Sequence, residues 1–351
     1  MGRALLLSPS RGLEGGIERY VQTLNWALAA GGVACQRLDL SGPGPCAHAE
    51  LLAHGRAALR ADPEPARLVA AHRALLPVAM LLARDRAARG VSVVCHGSET
   101  WDSRRRPRRT LERRLMRSAD VRVVAVSSFT AGAILRDCQA TVLPPALSQE
   151  WFQTLTAAAA VAETRRRRGS GIRLVTTFRL AEWQAKGLPQ LVAAVASLGR
   201  PDVTLTVCGS GTPPAGLLRL LSGHRWCTIR PGLSDTDLAR ELATADLFVL
   251  ATQTRNGHRP TGEGFGLVLL EAQVAGTPVI TPAYGGSHDA YVEGVTGMAP
   301  TDESADALAS ILQELLKDPG RLACMGRHAA EWARQASDPE RYAQLAVRRL
   351  L

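Results

Sequence analysis

The sequence predicts an α/β fold built twice over, as two parallel-sheet units in tandem. Three observations carry this. Short apolar runs alternate with longer amphipathic stretches, glycine-rich segments follow several of the runs, and after a break near residue 170 the alternation begins afresh. A length of 351 residues, at roughly 100–200 per domain, leaves room for two.

In chain order, Arg3–Leu7 reads as the first strand. The loop Gly12-Leu13-Glu14-Gly15-Gly16 follows, and then a helix over about Ile17–Ala30, from its apolar positions at helical spacing. Val33–Leu38, Arg67–Ala71, Val91–Cys95 and Val121–Val126 are further strands separated by helical patterns. Such a βαβ repeat implies a parallel sheet with helices on both faces, a Rossmann-like unit. From Trp151 to Gly171 an alanine tract, Arg165–Arg168 and Gly-Ser-Gly break the pattern, and 154–171 reads as an interdomain linker. The second unit has strands at Arg173–Thr177, Val203–Cys208, Cys227–Arg230, Leu247–Ala251 and Pro278–Thr281. From Asp302 onward the chain reads as helical, and the apolar positions of Pro339–Leu351 need something to pack against. The expected division is 1–153, linker 154–171, 172–335, and a terminal helix over 336–351.

Composition narrows the function classes. At 46% hydrophobic and 21% charged the chain is not disordered over most of its length. No apolar run approaches the ~18 residues of a spanning helix, because Leu75–Ala83 is short and contains Pro77. Ala4–Leu7 is too short for the apolar core of a signal peptide, so a cytoplasmic location is expected. Seven scattered cysteines without a CxxC pair read as reduced thiols, and neither a metal site nor a cofactor is expected.

The net charge of +10 is unevenly placed. Before Ser170 stand 25 basic and 14 acidic residues; from Ser170 onward stand 17 and 18. Eight arginines fall between Arg104 and Arg117, with Leu111, Leu115 and Met116 among them at near-helical spacing. One reading is a solvated basic helix. The other is a surface for an anionic acceptor, or for peripheral contact with the anionic inner face of a membrane. No nucleic-acid partner is expected, since no known module interleaves aromatics with the basic run.

Four segments carry chemistry. Leu267–Ala275 is apolar around nearly its whole circumference, so its helix should be buried, yet Glu271 sits in the middle. A buried carboxylate costs several kcal/mol unless it accepts hydrogen bonds or pairs with a charge. Ligand hydroxyls would meet that need, and so would a neighbouring arginine. Glu263 lies eight residues earlier, about 12 Å along a continuous helix, a separation that suits the two ends of a nucleotide sugar. Between them Gly264 and Gly266 leave amides clear at a helix amino terminus, which favours phosphate or sugar oxygens.

Phe178–Leu188 follows a strand's carboxyl end, where open α/β sheets bind ligands, and contains Lys186, one of only two lysines. A lysine offers phosphate a compact charge; the alternative is a solvated loop. The Gly15-Gly16 loop could seat a phosphate at a helix start, and Asp39 mimics the ribose-binding acid of dinucleotide enzymes, but the spacing is not GxGxxG. His96 ends the strand Val91–Cys95, as a ligand-side or a purely structural histidine.

Taken together and in order, these segments resemble the retaining glycosyltransferases of family 4, of the two-domain GT-B fold, over nearly the whole chain. The most specific part is Glu263-x7-Glu271 with Gly264-Phe265-Gly266 inside it, followed by Gly276-Thr277-Pro278-Val279-Ile280 and Gly285-Gly286. The resemblance implies parallel sheets facing a central cleft, and a terminal helix that crosses back to the first domain. It also implies that Arg179 and Lys186 act on the donor diphosphate and that Glu263 faces the transferred sugar. Glu271 would hold the ribose hydroxyls, and the backbone of Gly264, Phe265, Gly266 and Leu267 would line the sugar and phosphates. Gly15 and Gly16 match the amino-terminal glycine loop. Gly209 would lie near the donor phosphates, Arg230 near the base, and His96 in the acceptor cleft.

The chain departs from the family pattern in three places. Arg179 and Lys186 are seven apart where five is commoner, Pro144-Pro145-Ala146-Leu147 stands for Pro-Asn-Gly-Val, and Asp289 stands for a glutamate.

The implied reaction is a metal-independent, retaining transfer from a nucleotide-diphosphate sugar, UDP-linked first and GDP-mannose second. The acceptor would be an envelope glycan, a lipid-linked glycan or a small secondary metabolite. A sugar-nucleotide epimerase or an inactive nucleotide-sugar binding protein would share the fold. A dinucleotide oxidoreductase would leave the Glu263–Glu271 segment unexplained.

Overall fold

The computed structural model describes residues 2–9, 15–97, 107–165, 171–255 and 261–351. The chain divides into two compact units, Met1–Ser148 with Asp338–Leu351, and Gln149–Ser337.

The first unit holds strands β1 (Arg3–Ser8), β2 (Ala34–Asp39), β3 (Ala66–Ala70), β4 (Ala88–Cys95), β5 (Val121–Ala125) and β6 (Thr141–Val142). They form one parallel sheet in the order β2-β1-β3-β4-β5-β6. Every residue of β1 is buried, as a strand covered by helices on both faces must be. The helix Gly16–Ala30 buries Tyr20, Val21, Leu24, Ala27 and Leu28 at helical spacing. Against it packs the terminal helix Pro339–Leu350, which buries Tyr342, Ala343, Ala346 and Leu350. The apolar stripe at the end of the sequence thus finds its partner in the first helix of the chain.

The second unit holds β7 (Ile172–Thr177), β8 (Val203–Gly209), β9 (Cys227–Pro231), β10 (Leu247–Val249), β11 (Val279–Ile280) and β12 (Gly297–Met298). They form a second parallel sheet in the order β12-β11-β10-β7-β8-β9. Its core joins Leu174, Leu205, Val207 and Leu247 from the strands to Leu191, Val195, Leu308 and Leu312 from the helices Leu188–Ser197 and Ala305–Leu315.

One expectation needs correction. The stretch expected as a linker is helical through most of its length, as part of the helix Gln149–Arg165. Trp151, Leu155, Ala159 and Ala162 make its buried stripe, and it packs on the helices Asp235–Thr244 and Leu267–Val274. The short strands β6 and β12 were not anticipated, because two residues at a sheet edge carry no apolar run. Within the basic run Leu111 is exposed and Met116 is buried. Among the described residues no helix is long and apolar enough to cross a membrane.

Candidate functional site

The loops after the carboxyl ends of β7, β8, β9 and β10 carry most of the residues singled out in the second half. At their centre is Glu263. Its Oε2 accepts a 2.9 Å hydrogen bond from Lys186 Nζ and a 3.2 Å bond from the Thr252 hydroxyl, while its backbone carbonyl accepts from Gly286 N–H at 2.8 Å. Lys186 and Glu263 are both mostly covered, at 21% and 15% side-chain exposure, so the pair is held in place rather than free in solvent.

The backbone explains how residues so distant in sequence meet. Gly187 has φ +68°, and a Cβ there would lie 1.8 Å from the Ala251 carbonyl oxygen. Only glycine lets the Lys186 turn press this closely against the chain leaving β10. Gln253 N–H adds a 2.8 Å bond to the Ala185 carbonyl. The loop after β10 is closed by paired bonds between Arg255 and Thr261, which deliver Glu263 to the lysine.

Gly264 follows Glu263 directly, Phe265 is buried, and Gly266 caps the amino end of the helix Leu267–Val274, with Leu267 as its first residue. Glu271 is 2% exposed and its Oε1 accepts a 3.0 Å bond from the Trp151 indole N–H. An indole therefore supplies one of the bonds for which the sequence offered ligand hydroxyls or a neighbouring arginine.

The remaining candidates in this unit bond to other partners. Arg179 is about half exposed and pairs with Glu182 at 2.7 Å. Arg230 on β9 pairs with Glu241 of the helix Asp235–Thr244. Gly209 ends β8, where its carbonyl accepts from Gly232 N–H. Burial, with Glu241 adding to it, pushes the neighbouring Cys208 thiol up to about 12.

In the first unit, Gly15 and Gly16 stand at the start of the first helix; Gly12–Glu14 lie outside the described residues. His96 follows β4, its Nε2 2.7 Å from the Ala71 carbonyl oxygen. A carbonyl only accepts, so Nε2 carries a proton. Tyr20 meets His96 edge-on at 4.9 Å and His72 stacks on it at 5.8 Å. Asp39, the dinucleotide-like acid, is held by Arg37 at 2.7 Å.

Within the basic run, Arg108 pairs with Glu112, and both Arg113 and Arg117 pair with Asp137. Glu112 also takes the buried Arg73 at 2.8 Å. Arg104–Arg106 and Ser98-Glu99 lie outside the described residues. Among the described residues no group of three His, Cys, Asp or Glu is placed to hold a metal ion.

Nothing in the sequence pointed to Thr252 or Trp151, since a lone threonine and a tryptophan at the end of the first expected domain carry no pattern. Gly187 could have been read from its place beside the lysine.

Known proteins resemble the chain in both sequence and fold. Residues 173–332 match the family model described as Glycosyl transferases group 1. Over 271 residues, 74% of this chain and 70% of the relative, the sequence is 32% identical to the GDP-mannose-dependent alpha-(1-6)-phosphatidylinositol monomannoside mannosyltransferase of Mycolicibacterium smegmatis. Among solved structures, sucrose-phosphate synthase from Thermosynechococcus elongatus superposes with a TM-score of 0.80 at 20% identity, covering 99% of this chain and 98% of that one. The Anabaena protein HepE, in complex with UDP-glucose, gives 0.75 at 17% identity, with 99% and 98% covered.

Proposed function

Because the chain belongs to the group 1 glycosyltransferases of the GT-B fold, we propose that it moves mannose from GDP-mannose to a hydroxyl of a lipid-linked glycan, with retention of anomeric configuration. The observation that carries this reading is the Lys186–Glu263–Thr252 arrangement, a carboxylate fixed beside an ammonium group at the carboxyl edge of a parallel sheet. The mannosyltransferase relative, at 32% identity, moves GDP-mannose ahead of the UDP-linked donor that the family resemblance put first.

In the proposed front-face step, the bond from the anomeric carbon to the leaving phosphate oxygen breaks. The acceptor oxygen bonds to the same face, and its proton passes to the departing phosphate oxygen. Lys186 carries the charge that develops on the diphosphate, supported by Arg179 once it leaves Glu182, and by the free amides at the Gly266 helix start. Glu263 orients the sugar. In the unliganded chain it also keeps the lysine in position for the incoming phosphates. His96 acts on the acceptor.

A thermal-shift panel of GDP, UDP, dTDP and their sugars tests the donor. A ligand at 100 times its dissociation constant stabilises by about 2.7 kcal/mol. GDP-mannose is expected to give the largest shift; no shift with any nucleotide removes the reading. Activity is expected to survive EDTA, since protein cations carry the leaving-group charge. Loss on chelation, restored by magnesium or manganese, would reassign that role to a metal.

A further inference from the structure

The strands that end near His96 begin at a second charged feature. At the amino ends of β4 and β5 lies a pocket of about 790 Å³ whose lining includes Arg67, Arg84, Arg89 and Arg122, with Asp120 as its one acidic side chain. Among the described residues none of these four arginines has a carboxylate within ion-pair distance, in contrast to Arg108, Arg113 and Arg117.

The backbone is shaped to bring them together. The β3–β4 register passes from Ala66↔Ala88 to Leu68↔Val91, so Arg89 and Gly90 together oppose Arg67 in a bulge. Gly90 has φ +99°, and the Arg67 Nη1 lies 3.5 Å from where its Cβ would be. The Arg67 guanidinium crosses this gap, donating to the Arg89 carbonyl at 3.4 Å and the Ser92 hydroxyl at 3.3 Å. Ser92 in turn donates to the Leu350 carbonyl, and Arg122 reaches the Arg348 carbonyl at 3.5 Å. These helix-end carbonyls offset part of the positive charge, but the same turn adds Arg348 and Arg349. Burial, with repulsion from Arg122 adding to it, lowers the Arg67 pKa.

Like charges gathered at one place favour the binding of an anion. Arginine forks match phosphate oxygens in pairs. The volume exceeds what a bare phosphate fills and falls within the ~300–1,000 Å³ of small-molecule sites. Met80, Leu115 and Val121 give the pocket an apolar wall. We propose that this pocket is a second anion site, taking a phosphate group carried on an apolar moiety, either a free organophosphate or a phospholipid headgroup with the start of its chains. It stands on residues that the donor reading does not use.

The test is equilibrium binding of inorganic phosphate, glycerol 3-phosphate and dihexanoyl phosphatidylglycerol below its micellar concentration, together with sedimentation on phosphatidylglycerol vesicles. The short-chain lipid is expected to bind at least about tenfold tighter than phosphate, and the Arg84→Gln/Arg89→Gln variant to lose about tenfold. Both side chains are exposed, so this variant keeps its fold, and its affinity for the nucleotide donor should match the wild type. Arg67→Gln should weaken binding further. Sedimentation that the double variant loses assigns the headgroup as source; short-chain binding without sedimentation assigns a free organophosphate. If none of the probes binds, or if both variants bind them like the wild type, the proposal falls, and the donor reading is untouched.

Discussion

Glu263 and Glu271 lie eight residues apart yet meet opposite surroundings, one beside an ammonium group and a hydroxyl, the other enclosed and bonded to an indole. Their variants should therefore differ in kind. Glu263→Ala is expected to lower turnover roughly 100-fold with a much smaller change in donor affinity, because an electrostatic partner of the reacting sugar is lost. Equal losses in both quantities would recast it as a simple binding group. Glu271→Ala leaves the Trp151 N–H without that acceptor, at a cost of about 1–3 kcal/mol in unfolding free energy. In a double-mutant cycle with Trp151→Phe the two changes should be less than additive; full additivity would deny the bond. Nucleotide affinity then separates the roles of the carboxylate: weakened by Glu271→Ala but not by Trp151→Phe if it also serves the ribose, unchanged by both if it serves only the fold.

Among the elements, the turn at Gly187 makes the sharpest demand on sequence. Gly187→Ala would set a methyl against the Ala251 carbonyl, in a backbone conformation that L-residues rarely adopt. The turn must move, and Lys186 with it. The expected result is a lowered melting temperature together with lost turnover, measured by calorimetry and a transfer assay; a variant with wild-type values of both would show that the turn is not pressed on β10. This site also shows how far sequence reaches. The strands with apolar runs, the basic turn and the Glu263–Gly266 segment were legible, because each is a local pattern. The Trp151–Glu271 bond was not, since it spans 120 residues. The helix Gln149–Arg165 was hidden for another reason: its stripe relies partly on Ala159 and Ala162, and alanine buries too little surface to stand out from its neighbours.

For the whole molecule, the uneven charge of the sequence falls, among the described residues, partly on arginines closed into ion pairs, as with Glu112 and Asp137, and partly on arginines gathered around Arg67 and Arg122 with no carboxylate at ion-pair distance. The first unit is also discontinuous, completed by Asp338–Leu351 after the chain has built the second. Leu350 is fully buried there, so Leu350→Ala should cost about 2–5 kcal/mol. The cost should appear in the unfolding transition of the first unit, with that of the second unmoved; a shift confined to the second would contradict the packing of the terminal helix on Gly16–Ala30. This discontinuity also matters during synthesis. At about 5–20 residues per second, the ribosome needs roughly 10–40 s to pass from Ser148 to Asp338. Throughout that interval the face of the first helix that Pro339–Leu350 covers waits unfilled, so the nascent chain offers chaperones an apolar strip that vanishes only once Asp338–Leu351 has emerged.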